Sequence, residues 1–125
     1  MLLVVEDDKQ VLRLIEAMIG PKGYDLVLIS EGTKAVDVAR SEKPQLILLD
    51  IMMPDTDGYS ILGEMKKDQL TRDIPVIMVT ALGYELNKSL ADELGASGYI
   101  TKPIELENLL ETIVRFLLNL KLLTS

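Results

Sequence analysis

The sequence has no cysteine and no histidine. That excludes disulfides, thiol nucleophiles, zinc sites built on Cys or His, and any Ser-His-Asp triad. A chain without cysteine suits a reducing compartment, and a cytoplasmic protein is expected. Long apolar runs are also missing. None approaches the roughly 20 residues that span a bilayer, so no membrane segment is expected. Leu2 to Val5 are apolar but stop at Glu6, too soon for the apolar core of a signal peptide. Excess positive charge is absent: the net charge is −7, which argues against nonspecific nucleic-acid binding by this domain. With 125 residues, 48% of them hydrophobic, the chain reads as one folded domain over residues 1–125 with a real core. It ends with its last helix, so no output domain is expected within it.

What is present centres on residues 46–58. Leu46-Ile47-Leu48-Leu49 run straight into Asp50, and Pro54-Asp55-Thr56-Asp57-Gly58 follow. A short apolar run without polar alternation is the pattern of a strand buried on both faces of a parallel sheet. Asp50 then stands at the strand's carboxyl end, where open α/β sheets bind their ligands. The residues behind it are turn formers, and Asp57 is placed to cap a helix.

The rest of the chain repeats the alternation. Leu2 to Val5 predict a strand, and Val11, Leu12, Leu14, Ile15, Met18 and Ile19 recur at helical spacing up to Gly20-Pro21-Lys22-Gly23. Tyr24 to Ile29 predict a second strand and Thr33 to Arg40 a short helix. After the central strand, 58–67 read as a helix, 76–79 as a strand, and Tyr84 to Leu94 as a helix closed by Gly95. Ser97 to Thr101 give a fifth strand, and Glu105 to about Leu120 a final helix. Five β-α units in strict order predict a parallel sheet with helices on both faces and right-handed crossovers.

The strand ends carry the chemistry. Glu6-Asp7, Asp50, Thr80 and Lys102 each follow or close an apolar strand, and in a parallel sheet all these ends share one edge. Clustered carboxylates raise one another's pKa, and a divalent cation removes that penalty. An all-oxygen donor set suits Mg2+. Asp7 and Asp50 are candidate carboxylate ligands, with the backbone carbonyl of Met52 as a third oxygen. Lys102 and Thr80 are placed to bind the oxygens of a phosphoryl group carried on Asp50, since an aspartate is a known phosphoryl acceptor. Such a transfer needs positioning and charge neutralisation more than a general base.

This set, together with Met53-Pro54, Asp57-Gly58, Thr80-Ala81 and Lys102-Pro103, resembles the receiver domain of two-component response regulators, of the chemotaxis-receiver type. The resemblance covers essentially the whole chain. It implies a flavodoxin-like (βα)5 three-layer sandwich with a parallel five-stranded sheet of order 2-1-3-4-5. It implies phosphoryl transfer to Asp50, with Mg2+, from the phosphohistidine of a sensor histidine kinase or phosphotransfer protein. By the same resemblance Asp7 is a direct metal ligand and Glu6 acts on the metal through water. Lys102 contacts the phosphoryl group, and Thr80 and Tyr99 are the switch pair. A cis bond before Pro103 is implied as well. The domain promotes its own phosphorylation and dephosphorylation but is not a turnover enzyme.

Other readings stand beside this one. Asp8 is read as a helix cap without a catalytic role, and Asp55 and Asp57 as turn residues. Taken singly, Thr80 reads as a turn residue, Lys102 as a solvated lysine and Tyr99 as a half-buried strand aromatic. A haloacid-dehalogenase-like phosphatase resembles a pattern with a second Asp two residues past the first, and Met52 stands there. A flavodoxin-type carrier needs a phosphate-cradling loop after the first strand, whereas Glu6-Asp7-Asp8 repel phosphate. A receiver-like binding module that is never phosphorylated is the third alternative. DNA-binding members of the family often carry Ala-Asp-Asp-Tyr at the fifth strand; Ala96-Ser97-Gly98-Tyr99 departs from that and puts their dimer in doubt. In the last helix Leu106, Leu109, Leu110, Ile113, Leu117 and Leu120 form a core-facing stripe. Phe116, Leu118, Leu122 and Leu123 do not all fit on it. They mark either a frayed end or a partner face, for a homodimer or output partner on helix 4, strand 5 and helix 5.

Overall fold

In the computed structural model of the chain, residues 1–81 and 88–124 are described, with side chains for all of these except 88 and 118–124. Ten main elements alternate: β1 (Leu2–Val5), α1 (Lys9–Ile19), β2 (Leu26–Ile29), α2 (Ala35–Glu42), β3 (Leu46–Asp50), α3 (Gly58–Lys67), β4 (Val76–Thr80), α4 (Lys88–Leu94), β5 (Gly98–Thr101) and α5 (Leu106–Thr124). The sheet has the order β2-β1-β3-β4-β5, and every neighbouring pair is parallel. This is the flavodoxin-like arrangement that the β-α alternation and the resemblance imply.

The uninterrupted apolar strands are explained by burial on both faces. Leu2, Val4, Leu46, Leu48, Ile77, Val79 and Ile100 pack with Leu12 and Ile15 of α1 and Leu109 and Ile113 of α5. The alternate strand residues Leu3, Val5, Ile47, Leu49 and Met78 pack on the opposite side with Ala35 and Ala39 of α2 and Ile61, Leu62 and Met65 of α3. Each fully buried large side chain contributes about 1.5–3 kcal/mol relative to exposure. The central strand β3 lies inside both layers with every residue buried, and so its terminal Asp50 is held by a fully packed element.

Local signals set the boundaries. Asp8 caps α1, its carboxylate accepting from the Gln10 N–H at 2.9 Å. Asp57 caps α3 by accepting from the Tyr59 N–H at 3.1 Å. Both caps match the turn-and-cap reading of these aspartates. Several boundaries differ from the sequence reading by one to a few residues. Strand β2 starts at Leu26 rather than Tyr24, although the Asp25 carbonyl already accepts from the Leu2 N–H across the sheet at 2.8 Å. Helix α2 starts at Ala35 after a 3-10 turn over Gly32–Lys34 and continues to Glu42. It ends where Lys43 takes a left-handed conformation at φ 49°. The expected start of α4 at Tyr84 falls outside the described residues.

Helix α5 corrects one further expectation. Leu106, the first residue of α5, does not join the core-facing stripe: it is 39% exposed, whereas Leu109 in the same turn is fully buried. Phe116 does pack on the core. A Cβ built on Gly98 would stand 3.0 Å from Ile77 Cδ1 and in ordinary contact with the Phe116 ring at 3.9 Å, so the ring lies beside β5.

Candidate functional site

The parallel register places the chemistry on one edge. Val5 pairs with Leu49, Asp50 with Val79, and Thr80 with Thr101. Glu6, Asp50, Thr80 and Lys102 therefore emerge together at the carboxyl ends of β1, β3, β4 and β5. Backbone bonds tie these ends down: Glu6 N–H donates to the Ile29 carbonyl at 3.0 Å, and Lys102 N–H to the Thr80 carbonyl at 2.7 Å.

Glu6, Asp50 and Thr80 are buried polar side chains, and Asp7 is half-buried beside them. One carboxylate oxygen from each of Glu6, Asp7 and Asp50 lies within 4.8 Å of the others. The Lys102 Nζ stands 2.5 Å from Glu6 Oε1 and 3.6 Å from Asp50 Oδ2. Glu6 Oε2 accepts from the Asp8 N–H at 3.2 Å, and Asp50 Oδ1 from the Met52 N–H at 3.3 Å. Glu6, Asp7, Asp50 and Lys102 are thus brought together. Asp8 faces away as a cap.

The electrostatics show what the cluster lacks. Burial pushes the Glu6 carboxyl up to about 7; hydrogen bonding with Asp50 and its negative charge add to this, and Lys102 opposes it. Burial by itself would lower the Lys102 pKa, but its hydrogen bond and attraction to Glu6 and Asp50 prevail, and the ammonium is held above its ordinary value. Three carboxylates against one ammonium leave excess negative charge in a low-dielectric edge. An oxygen-only donor set with that excess fits a hard divalent cation such as Mg2+.

The remaining candidates lie around this centre. Met52 sits two residues past Asp50 with its side chain 56% exposed, and its backbone bridges to Asp57 in antiparallel fashion. Thr80 Oγ1 lies 3.5 Å from Thr101 Oγ1. The Tyr99 hydroxyl donates to Asp92 of α4. That bond, with burial and the charge of Asp92, pushes the phenol up to about 12. The Lys102-Pro103 bond is cis. Thr101 and Asp92 were not singled out in the sequence. Only the strand register brings the first to Thr80, and only the packing of α4 on β5 brings the second to Tyr99.

Comparison with known proteins agrees with this geometry. The family model for the response regulator receiver domain matches residues 2–114. A "Probable transcriptional regulator ycf27" from Porphyra purpurea is 37% identical over 117 residues, covering 91% of this chain and 47% of the relative. A "DNA-binding dual master transcriptional regulator RpaA" from Synechocystis sp. is 35% identical over 112 residues, covering 90% of this chain and 46% of the relative. The chain spans about half the length of these curated relatives. Among solved structures, the receiver domain of a sensor histidine kinase from Pseudomonas aeruginosa PAO1 superposes with a TM-score of 0.83 at 30% identity. The match covers 92% of this chain and 94% of that one, and that structure is described with a magnesium ion coordinated in the active-site cleft. The receiver domain of a signal transduction histidine kinase from Syntrophus aciditrophicus gives 0.86 at 31% identity, covering 96% and 91%. With its sheet order, its acidic edge and a family match over most of its length, the chain belongs to the response regulator receiver domain family of two-component signalling.

Proposed function

We propose that the chain is a phosphoacceptor switch that takes a phosphoryl group onto Asp50 from the phosphohistidine of a sensor histidine kinase or phosphotransfer protein. One observation carries the reading: the buried Asp50 carboxylate, within 3.6 Å of the Lys102 ammonium, shares its edge with the carboxylates of Glu6 and Asp7. In the transfer an Asp50 oxygen bonds to phosphorus as the P–N bond of phosphohistidine breaks. The bonding pair returns to the imidazole nitrogen, which then takes a proton from solvent. Asp7, Asp50 and the Met52 backbone carbonyl would hold Mg2+, with Glu6 acting through water. Bound there, Mg2+ would neutralise charge on the phosphoryl oxygens. Lys102 then leaves Glu6 to pair with a phosphoryl oxygen, which its flexible stem permits, and the Thr80 hydroxyl donates to another.

The product is a covalent aspartyl phosphate, so the domain undergoes single events and is not a turnover enzyme. Movement of Thr80 and Tyr99 would carry the change to α4, β5 and α5, whose outer face serves a second copy or an output partner. The relatives' names as transcriptional regulators support an output that acts on DNA elsewhere, and the charge of −7 supports a domain that does not itself bind nucleic acid. Among the described residues no helix is long and apolar enough to cross a membrane, and we place the protein in the cytoplasm.

Incubation with acetyl phosphate and Mg2+ tests the reading. Intact-mass analysis should show one added phosphoryl group, lost in Asp50→Asn. Labelling that persists in Asp50→Asn refutes the assignment, and a wild type that is never labelled by donor or kinase favours the unphosphorylated binding module.

A further inference from the structure

We propose that Gly32 and Asp55 are positioning residues for the phosphoacceptor: the turn after β2 seats the loop after β3, and that loop orients the Asp50 carboxylate. The inference rests on the phosphoacceptor reading of Asp50, and neither residue is placed in contact with the acidic edge.

The seat is tight at Gly32, which is buried. A Cβ built there would stand 2.2 Å from Thr56 Cγ2, 2.9 Å from Met53 Cε and 3.0 Å from Ile61 Cδ1. Thr56 is β-branched, so its methyl has few places to go. A side chain at 32 must therefore move the loop or force Thr56 into another rotamer. One residue along, the Thr33 N–H donates to Asp55 Oδ2 at 3.3 Å. The loop's other face is fixed as firmly. Gly58 N–H donates to the Ile51 carbonyl at 2.9 Å, and a Cβ at Gly58 would come within 2.6 Å of Ile51 Cα. Between these anchors, Met52 bridges to Asp57, and the Met52 N–H bonds Asp50 Oδ1. A continuous path of contacts thus runs from Gly32 and Thr33 through Asp55, Thr56, Asp57 and Met52 to the carboxylate. The same loop carries the carbonyl assigned to the metal. Displacement of the loop changes two groups at the reacting centre together, and small misplacements there cost large factors in rate.

The test compares wild type, Gly32→Ala, Thr56→Ser, the double variant Gly32→Ala with Thr56→Ser, Asp55→Asn and Asp55→Ala. The chain has no tryptophan, so Mg2+ binding is followed by the amide NMR shift of Met52, and labelling by the initial rate with acetyl phosphate. Both are measured where circular dichroism shows the variant folded. Gly32→Ala should weaken Mg2+ binding and slow labelling by about tenfold. Thr56→Ser removes the clashing methyl and should restore most of both, while alone it changes little. Asp55→Asn and Asp55→Ala lose the same charge, but only Asn keeps an acceptor for Thr33, so Ala should be the weaker binder. A folded Gly32→Ala within about twofold of wild type overturns the inference, as does a loss that Thr56→Ser fails to restore. Should Gly32→Ala not fold, the Asp55 pair decides, and equal behaviour of Asn and Ala overturns the seat. A wild type that neither binds Mg2+ nor becomes labelled overturns the proposed function and this inference with it. A labelled wild type beside an unaffected Gly32→Ala overturns the inference alone.

Discussion

The Lys102 ammonium is held by Glu6 rather than by Asp50: its Nζ is 2.5 Å from Glu6 Oε1 and 3.6 Å from Asp50 Oδ2. Glu6 is therefore the group that parks the lysine before any phosphoryl group arrives. Asp50 keeps one oxygen, Oδ1, on the Met52 amide, and its other, Oδ2, is the one near the Lys102 ammonium.

A pH dependence follows from Glu6. Burial, then hydrogen bonding with Asp50, raises its pKa from 4.5 to about 7. Between those two values the folded chain binds more protons at this site than the unfolded chain. Stability from this group is therefore present below 4.5 and is lost as pH rises towards 7. Urea denaturation at the two ends of that window should show a fall in wild type that Glu6→Gln abolishes. Saturating Mg2+ favours ionised carboxylates and should offset the fall. A metal-free wild type as pH-independent as Glu6→Gln across the window would contradict this account.

Asp7 and Asp8 are neighbours with different work. Asp7 lies in the acidic cluster, whereas Asp8 is exposed and caps α1 through Gln10. Asp8→Ala should cost about 1 kcal/mol of stability as a lost cap and leave Mg2+ binding near wild type. Asp7→Ala should do the reverse, weakening Mg2+ binding with little loss of stability. Equal losses of Mg2+ affinity in the two would show that the assignment of Asp7 to the pocket is misplaced.

The strand ends were legible in the sequence because each apolar run stops at a polar residue, and a parallel sheet gathers those stops without further information. Asp8 and Asp57 as caps were legible for a local reason, since capping involves residues two or three apart. What escaped was long-range. The partnership of Thr80 with Thr101 depends on the register of β4 and β5. The seat of Thr56 on Gly32 joins two loops 24 residues apart in the chain, 56 less 32, and a glycine's missing side chain leaves no pattern to read. The apolar period of α5 gives its inward face but not where that face begins, so the stripe includes Leu106 although it is exposed.

Phe116 shows the consequence for mapping an output face. Its ring is partly buried and packs on the core, so a charged substitution there damages the fold before it reports on any partner. Phe116→Ala should cost about 1–3 kcal/mol, less than a fully buried phenylalanine, and Phe116→Glu more. Val114, 48% exposed, should tolerate Val114→Glu within about 0.5 kcal/mol. Urea midpoints order the three variants. If Phe116→Glu unfolds at the wild-type midpoint, the ring is not a core residue. Self-association or partner binding that depends on phosphorylation is then better probed by Leu106→Glu and Val114→Glu, which change the surface of α5 and spare its core.

The lifetime of an aspartyl phosphate on this chain should be long, and Met52 is the reason. Hydrolysis needs a water held in line with the phosphorus. The side chain two residues past the acceptor is exposed to solvent beside the site, and a thioether is only a weak acceptor and no donor. Asparagine at 52 offers both a donor and an acceptor. Leu82 stands two residues past Thr80, as Met52 stands two past Asp50, and by sequence is the second position expected to flank the approach; it lies outside the described residues. Met52→Asn should therefore shorten the phosphoryl lifetime severalfold, and Leu82→Glu should add to that effect. Because Asp50 Oδ1 is bonded by the Met52 backbone amide rather than its side chain, the substitution leaves the acceptor's support in place, and phosphorylation by acetyl phosphate should proceed near the wild-type rate. Decay of labelled protein, followed by intact mass after removal of the donor, measures the lifetime directly. An unchanged or slower decay in Met52→Asn would mean that water reaches the phosphorus from elsewhere on the edge.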